Sequence, residues 1–171
     1  MNTTRTLTAL TAAITSVVLL SSCSVDDLRS EHVEDVRAGT GSVAKSNDIA
    51  PSWLPDDAQD VRVRRRTTGN ERILVASYSR PLTATACVPI RSIGAPTTDE
   101  LTRAYAADDI TADTPVDDFT DEPTLTADWW PTGQDEKTTV LCDRWWVSSD
   151  NGSVYAWSPE LRSVAADPRA Q

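Results

Sequence analysis

The sequence predicts an α+β fold, in which a small antiparallel sheet built from hairpins carries one short helix. Three observations support this prediction. Residues 61–78 and 138–157 are rich in β-forming side chains and contain turn sequences, as hairpins do. Between them, Thr97 and Glu100 have the spacing of a helix-capping box. The length of 171 residues leaves room for one such domain and additional segments.

The first predicted hairpin covers residues 61–78. Val61 and Val63 alternate with arginines, as in a half-buried strand. The motif Thr67-Thr68-Gly69-Asn70 supplies turn residues, and residues 73–78 form the return strand. We expect a third extended segment at residues 84–90.

The predicted helix begins after Thr97. Leu101, Ala104 and Tyr105 fall on one helical face, which is expected to pack on the sheet. The helix should end near residues 107–108. Residues 108–124 are acidic and interrupted by prolines, so they are predicted to form a loop into which Phe119 is tucked.

The carboxyl-terminal hairpin has the strongest local signal. Asn151-Gly152 suits a two-residue type I′ turn, which places Trp146 opposite Trp157. With residues 138–148 taken as one strand, one side would carry Cys142, Arg144, Trp146, Tyr155 and Trp157. The other side would carry Leu141, Asp143, Trp145, Val147, Val154 and Ala156. Each side has a tryptophan, so we expect both sides to be at least partly covered.

The amino terminus has the pattern of an export signal. An uncharged stretch from residue 7 to residue 20 ends in Leu20-Ser21-Ser22-Cys23, which resembles the bacterial lipobox. By this resemblance residues 1–22 are a lipoprotein signal peptide, and Cys23 carries the lipid, including palmitate. The protein would then be lipid-anchored on the extracytoplasmic face of the cell membrane. The alternatives are a plain secretory signal and an uncleaved anchor.

The rest of the chain is predicted to comprise a tether, a domain and a tail. Residues 23–50 are polar, lack aromatic side chains and contain two glycines, so we expect the lipidated cysteine and a flexible tether. A single α+β domain covers residues 51–165. Residues 166–171 are expected to be a frayed tail.

The composition argues against several kinds of activity. The net charge of −10 repels nucleic acid at long range, so we expect no nucleic-acid partner. The one histidine, His32, lies in a polar segment, and the folded part is expected to lack the imidazole of a Ser-His-Asp or Cys-His site. We therefore expect no catalytic residue, no metal and no cofactor.

Two cysteines remain after lipidation, Cys87 and Cys142. An even number in an exported protein favours a disulfide bond, with α-carbons about 5.5–6 Å apart. Free buried thiols and a redox pair are the alternatives, although the spacing is not Cys-x-x-Cys.

Three tryptophans are candidate ligand-binding residues: Trp129, Trp130 and Trp145. The chain has six tryptophans and one phenylalanine, and tryptophan faces stack on sugar rings or fill protein interfaces. The simpler interpretation is that tryptophan replaces phenylalanine in a small core.

Two charged stretches have simple interpretations. The acidic residues between 108 and 122 do not follow EF-hand spacing, so a solvated loop is favoured over a calcium site. Five arginines form a local basic patch: Arg62, Arg64, Arg65, Arg66 and Arg72. This patch suits an anionic cell-wall polymer or headgroup, but a hairpin surface balanced by acidic neighbours is favoured.

Four motifs resemble those of uncharacterised small lipoproteins of actinobacteria. They are Trp53-Leu54-Pro55-Asp56-Asp57-Ala58, Thr67-Thr68-Gly69-Asn70-Glu71-Arg72-Ile73, Asp128-Trp129-Trp130-Pro131 and Cys142-Asp143-Arg144-Trp145-Trp146-Val147. The resemblance implies location alone. The predicted function is a non-enzymatic binding or scaffolding role toward an envelope protein or cell-wall polymer. The alternative is a carbohydrate-binding module or carbohydrate-active enzyme.

Overall fold

The computed structural model describes residues 32–82, 87–90, 96–106 and 114–166. They contain a seven-stranded antiparallel sheet with the order β1-β2-β3-β7-β6-β5-β4, so the predicted α+β fold is confirmed. The strands are β1 Val33–Thr40, β2 Gln59–Arg66, β3 Arg72–Ser77, β4 Cys87–Pro89, β5 Val140–Cys142, β6 Trp145–Asp150 and β7 Ser153–Ser158. The helices are α1 Gly41–Ser46, α2 Thr98–Tyr105 and α3 Arg162–Ala165, with single 3₁₀ turns at Val116–Asp118 and Asp135–Lys137.

The first predicted hairpin is confirmed. β2 and β3 pair so that Arg65 lies opposite Arg72, and a four-residue turn at 67–70 connects them. β3 then pairs with β7, which brings the two predicted hairpins into one sheet. Of the predicted extended segment at 84–90, Cys87–Pro89 forms β4, and residues 84–86 lie outside the described ranges.

The predicted helix and its capping box are also confirmed. The Thr97 side chain accepts from the Glu100 N–H, and the Glu100 side chain accepts from the Thr97 N–H. The Trp146 indole N–H donates to the same carboxylate at 3.4 Å, which ties the start of α2 to β6. Leu101 and Tyr105 are buried, as expected for the face that packs on the sheet.

The predicted register of the carboxyl-terminal hairpin is correct. Asn151 and Gly152 have φ angles of 47° and 78°, as a type I′ turn requires. Trp146 lies opposite Trp157, and their ring centroids are 5.6 Å apart.

The predicted grouping of side chains around Cys142 is wrong, because residues 138–148 do not form one strand. Asp143 and Arg144 make a second tight turn between β5 and β6, and Asp143 has a φ of 52°. Cys142 therefore lies opposite Trp145 and shares its face, whereas Leu141 lies opposite Trp146. A two-residue turn puts the residues on either side of it on the same face, which reverses the alternation of a continuous strand.

The expectation of a flexible tether is wrong for residues 33–46. They form edge strand β1 and helix α1, so the folded domain includes residues before the predicted start at residue 51. His32 also belongs to this domain, because its carbonyl accepts from the Thr67 N–H at 2.8 Å. Residues 23–31 of the predicted tether lie outside the described ranges, as do residues 1–22 and 167–171.

Both faces of the sheet are covered, as predicted. We call them the Trp145 face and the Trp146 face. Residues 41–58 cover the Trp145 face, which includes Val61, Val63, Leu74, Cys142, Trp145, Val147, Val154 and Ala156. The α2 helix and residues 116–130 cover the Trp146 face, which includes Ile73, Leu141, Trp146 and Trp157. Phe119 is buried there, as expected for the acidic loop, whose residues 108–113 are outside the described ranges.

In the part of the chain that the structure describes, no helix is long and apolar enough to cross a membrane.

Candidate functional site

A pocket of about 610 Å³ lies at the end of the sheet where β2 ends, β3 begins and the β5–β6 turn is located. Its volume is within the range of small-molecule sites. The described wall consists of Asp48, Ile49, Ala50, Pro51, Ser52, Arg65, Arg72, Ala104, Asp143, Arg144 and Trp145. Three arginines in one pocket of a chain with a net charge of −10 make it the strongest candidate site.

The register of the sheet brings the three arginines together. Arg65 and Arg72 are directly opposite each other on β2 and β3, and both lie on the Trp145 face. Arg144 comes from the turn that precedes Trp145. Like charges directly opposite each other on paired strands destabilise a sheet, so stability alone does not explain why Arg65 faces Arg72.

Two of the arginines have neutralising or polar partners. Arg65 forms an ion pair with Glu34 of β1, at 3.0 Å from Nε and 2.9 Å from Nη2, and donates to the Asp48 carbonyl. Arg144 donates to the Asn70 side chain at 3.4 Å. Arg65 is thus held by the edge strand, and Arg144 by the β2–β3 turn.

Arg72 is the central cation. Its Nη1 donates to the carbonyls of Gly69 and Glu71, at 3.1 and 3.2 Å. Among the described residues, no carboxylate forms an ion pair with it. Burial lowers the pKa of the Arg72 guanidinium from its ordinary value, and the charges of Arg144 and Arg65 lower it further, while Glu160 and Tyr105 act in the opposite direction.

Two buried carboxylates fix the β2–β3 turn beside this pocket. Glu160 accepts from the backbone N–H groups of Asn70, Glu71 and Leu161, at 2.7–2.9 Å. Glu71 accepts from the N–H of Leu125 at 2.7 Å and from Arg66 Nε at 2.9 Å. Because both carboxylates are engaged in these bonds, they hold the backbone around Arg72 in place.

The remainder of the wall combines apolar and acidic side chains. Ile49 and Pro51 come from the segment after α1, and Trp145 is the first residue of β6. Asp48 and Asp143 add two carboxylates, which accept hydrogen bonds from hydroxyl groups. The pocket therefore offers cationic donors, acceptors and an apolar surface to one ligand.

The structure separates the three tryptophans that the sequence suggested as ligand-binding residues. Trp145 lines the pocket, but it is only 5% exposed and forms a T-shaped ring pair with Trp53. Trp129 and Trp130 are partly buried against the Trp146 face, where Trp130 contacts the Tyr155 ring. Sequence reasoning could not separate the three tryptophans, because their exposure depends on which distant residues pack against them.

The predicted arginine patch is divided between the two faces of the sheet. Arg64 pairs with Asp35, as expected for a solvated surface balanced by acidic neighbours. For Arg66 that expectation is wrong, because this arginine is buried together with its partner Glu71. Arg65 and Arg72 alone of this patch line the pocket. Sequence reasoning grouped Arg65 and Arg72 in one basic patch but missed Arg144 as their neighbour, because the β5–β6 turn that positions Arg144 was not predicted.

Cys87 and Cys142 are joined by a disulfide, as predicted. Their α-carbons are 3.9 Å apart, closer than the expected 5.5–6 Å, because they are directly opposite each other on β4 and β5. In the described ranges, no group of three or more His, Cys, Asp or Glu side chains is arranged to hold a metal ion. The lipidation candidate, Cys23, lies outside those ranges.

Comparison with known proteins finds no protein family, no curated protein and no solved structure that matches this chain. The resemblance to small actinobacterial lipoproteins therefore stays a prediction.

Proposed function

We propose that this chain is a bacterial envelope lipoprotein, anchored to the cell membrane through lipid on Cys23, whose domain binds a ligand without catalysis. The observation that carries the anchoring is the distribution of the three cysteines. Cys87 and Cys142 are bonded to each other, so Cys23 is the one cysteine not committed to this bond. It follows an uncharged stretch and two small residues, as a lipobox cysteine does. A structural disulfide also suits an extracytoplasmic compartment.

The pocket supports binding rather than catalysis. Its described wall carries three guanidinium groups, which bind anions but do not exchange protons near neutral pH. Ser52 is the one hydroxyl on that wall, and it forms no hydrogen bond to a base among the described residues. Nucleophilic catalysis by serine requires such a base, so a binding site fits the geometry better.

A carbohydrate-binding module is the second candidate, and the geometry favours it less. Stacking on sugar requires an exposed ring face. All six tryptophans fall in the described ranges, and four of them are nearly completely buried: Trp53, Trp145, Trp146 and Trp157. Trp129 and Trp130 are partly covered by the core of the Trp146 face.

The anchoring is tested by replacing Cys23 in the full chain expressed in a bacterial host. We expect Cys23→Ala to abolish incorporation of labelled palmitate and to leave the signal peptide uncleaved or the protein released from the membrane fraction. The matched control is the double variant Cys87→Ser/Cys142→Ser, which removes the other two cysteines and should still incorporate palmitate. Equal labelling of wild type and Cys23→Ala, with the same mass for both chains, would disprove the lipoprotein proposal.

A further inference from the structure

We infer that the arginine-lined pocket binds the phosphate group of a phosphorylated polyol or sugar, with Arg72 as the central contact and Arg65 and Arg144 beside it. This inference rests on the proposed binding function and names the ligand class for it. The pocket is defined by the wall residues given above.

The first argument is the unbalanced charge of Arg72. It is partly buried next to two other cations, and no described carboxylate forms an ion pair with it. Glu160 is nearby, but its carboxylate accepts from three backbone N–H groups. A bound anion would supply the missing negative charge, because it would attract all three guanidinium groups at once.

The second argument is the geometry of the Arg72 guanidinium. Both of its described side-chain hydrogen bonds come from Nη1. Within the described ranges, Nε and Nη2 donate to no protein group. These two nitrogens form one edge of the planar fork, and that edge matches two oxygens of a phosphate or carboxylate.

The number of arginines favours phosphate over carboxylate. One guanidinium edge satisfies the two coplanar oxygens of a carboxylate. A phosphate monoester has three terminal oxygens that share up to two negative charges and point in different directions, so it can contact several guanidinium groups.

The acidic and apolar parts of the wall indicate what carries the phosphate. Asp48 and Asp143 would repel a bare polyanion, but they accept hydrogen bonds from hydroxyl groups. Ile49 and Pro51 can contact the carbon skeleton. A phosphate ester of a polyol or sugar has an anionic phosphate, hydroxyl groups and a carbon skeleton, which match the arginines, the carboxylates and the apolar residues of the wall. Inorganic phosphate matches the arginines alone.

A purely structural role for Arg72 is the competing explanation, because Nη1 already bonds to the carbonyls of the β2–β3 turn. In that case Arg72 would only stabilise the turn. Its replacement would then lower the free energy of unfolding, and the wild-type protein would show no phosphate binding. Binding and stability must therefore be measured on the same variants.

The test uses the mature full chain in a non-ionic detergent and isothermal titration with glycerol 3-phosphate. We expect a Kd of about 1 mM or tighter, weakening as salt is added. Arg72→Gln and Arg144→Gln should each weaken binding about 10- to 100-fold, as expected for loss of a charge-assisted hydrogen bond. The matched control, Arg62→Gln, removes the same charge from β2 on the opposite face and should bind like wild type.

Thermal unfolding of each variant shows whether it remains folded, and Arg144→Gln provides the test if Arg72→Gln does not fold. Absence of glycerol 3-phosphate binding by wild type would overturn the inference, and so would equal binding by all three variants. Binding of glucuronate but not of glycerol 3-phosphate would also overturn it, while leaving a non-enzymatic binding function intact. Because the titration is done in detergent, its outcome does not depend on the Cys23 anchor.

Competition identifies the source of the phosphate ester. If micelles doped with phosphatidic acid displace glycerol 3-phosphate, the ligand is a lipid phosphate. If they do not, the ligand is a soluble polyol or sugar phosphate, and competition between glucose 6-phosphate and glycerol 3-phosphate tells these two apart. Both outcomes support a phosphate-monoester site at this pocket.

Discussion

The residue with the most demanding local environment is Glu71, which is fully buried together with Arg66. Their side chains are 0% and 2% exposed, and the ion-pair distance is 2.9 Å. Arg66 Nη2 and Glu71 Oε2 also share the Thr124 hydroxyl, at 2.8 and 2.6 Å. The pair therefore attaches the loop before Leu125 to the β2–β3 turn. Removing one member leaves the other charge buried without its partner.

Replacing this carboxylate should cost far more stability than replacing an exposed one. We expect Glu71→Gln to lower the free energy of unfolding by about 3 kcal/mol or more, measured by urea denaturation. The matched control is Glu34→Gln, which removes the partner of Arg65. Glu34 is 44% exposed, so the control should cost at most about 1 kcal/mol. Similar losses for the two variants would contradict the importance of the buried pair.

At the scale of elements, the amino-terminal strand β1 and helix α1 are the part of the fold that the sequence pattern did not predict. β1 is an edge strand, and the charged side chains that made it look like a tether pair with arginines of β2. The α1 helix follows directly, with the Thr40 side chain accepting from the Val43 N–H as its cap. Ala44, Trp53 and Leu54 then cover the Trp145 face.

Two glycines in this segment provide a matched test of its packing. A Cβ at Gly41 would overlap the Pro55 carbonyl, whereas a Cβ at Gly39 would meet nothing within 4 Å. We expect Gly41→Ala to lower the free energy of unfolding by about 1–3 kcal/mol through overpacking. Gly39→Ala should be neutral or slightly stabilising, because it reduces the freedom of the unfolded chain. If neither substitution changed the urea midpoint, residues 33–46 would not be part of the cooperative fold.

At the scale of the whole molecule, the disulfide holds the far edge of the sheet together. β4 has three residues and pairs with β5 through three residue pairs, one of which is Cys87 with Cys142. The bond spans a separation of 55 residues that includes α2 and the covering segment of the Trp146 face. Closing so long a loop restricts the unfolded chain strongly.

Removing the disulfide should therefore destabilise the entire domain. We expect Cys87→Ser/Cys142→Ser to lower the free energy of unfolding by about 4 kcal/mol on the chain-entropy estimate. Reduced wild type should fall to the same stability, and the reductant should not affect the double variant. A wild type whose stability in urea is unchanged by full reduction would show that the bond does not stabilise the fold.

The sequence by itself determined the features that depend on neighbouring residues. The Thr97–Glu100 capping box and the Asn151-Gly152 turn are local, so each was readable from a few positions, and the turn fixed Trp146 opposite Trp157. The disulfide followed from the number of cysteines. The lipobox-like pattern that ends at Cys23 is also local, and the palmitate-labelling experiment in a bacterial host tests whether Cys23 is the anchor.

Only the tertiary structure decided which distant residues share a surface. Asp143-Arg144 is a weak turn signal, yet this turn moved Cys142 to the Trp145 face and placed Arg144 beside Arg65 and Arg72. The charged residues of β1 made it look like a tether. Their partners lie on β2, a strand about 30 positions away, and local sequence does not show that pairing. The pocket depends on the same long-range register, and a one-residue slip would move its side chains to the opposite face. Alternation along a strand is local, whereas strand pairing depends on the whole sheet, and this is why the fold class could be predicted and the site could not.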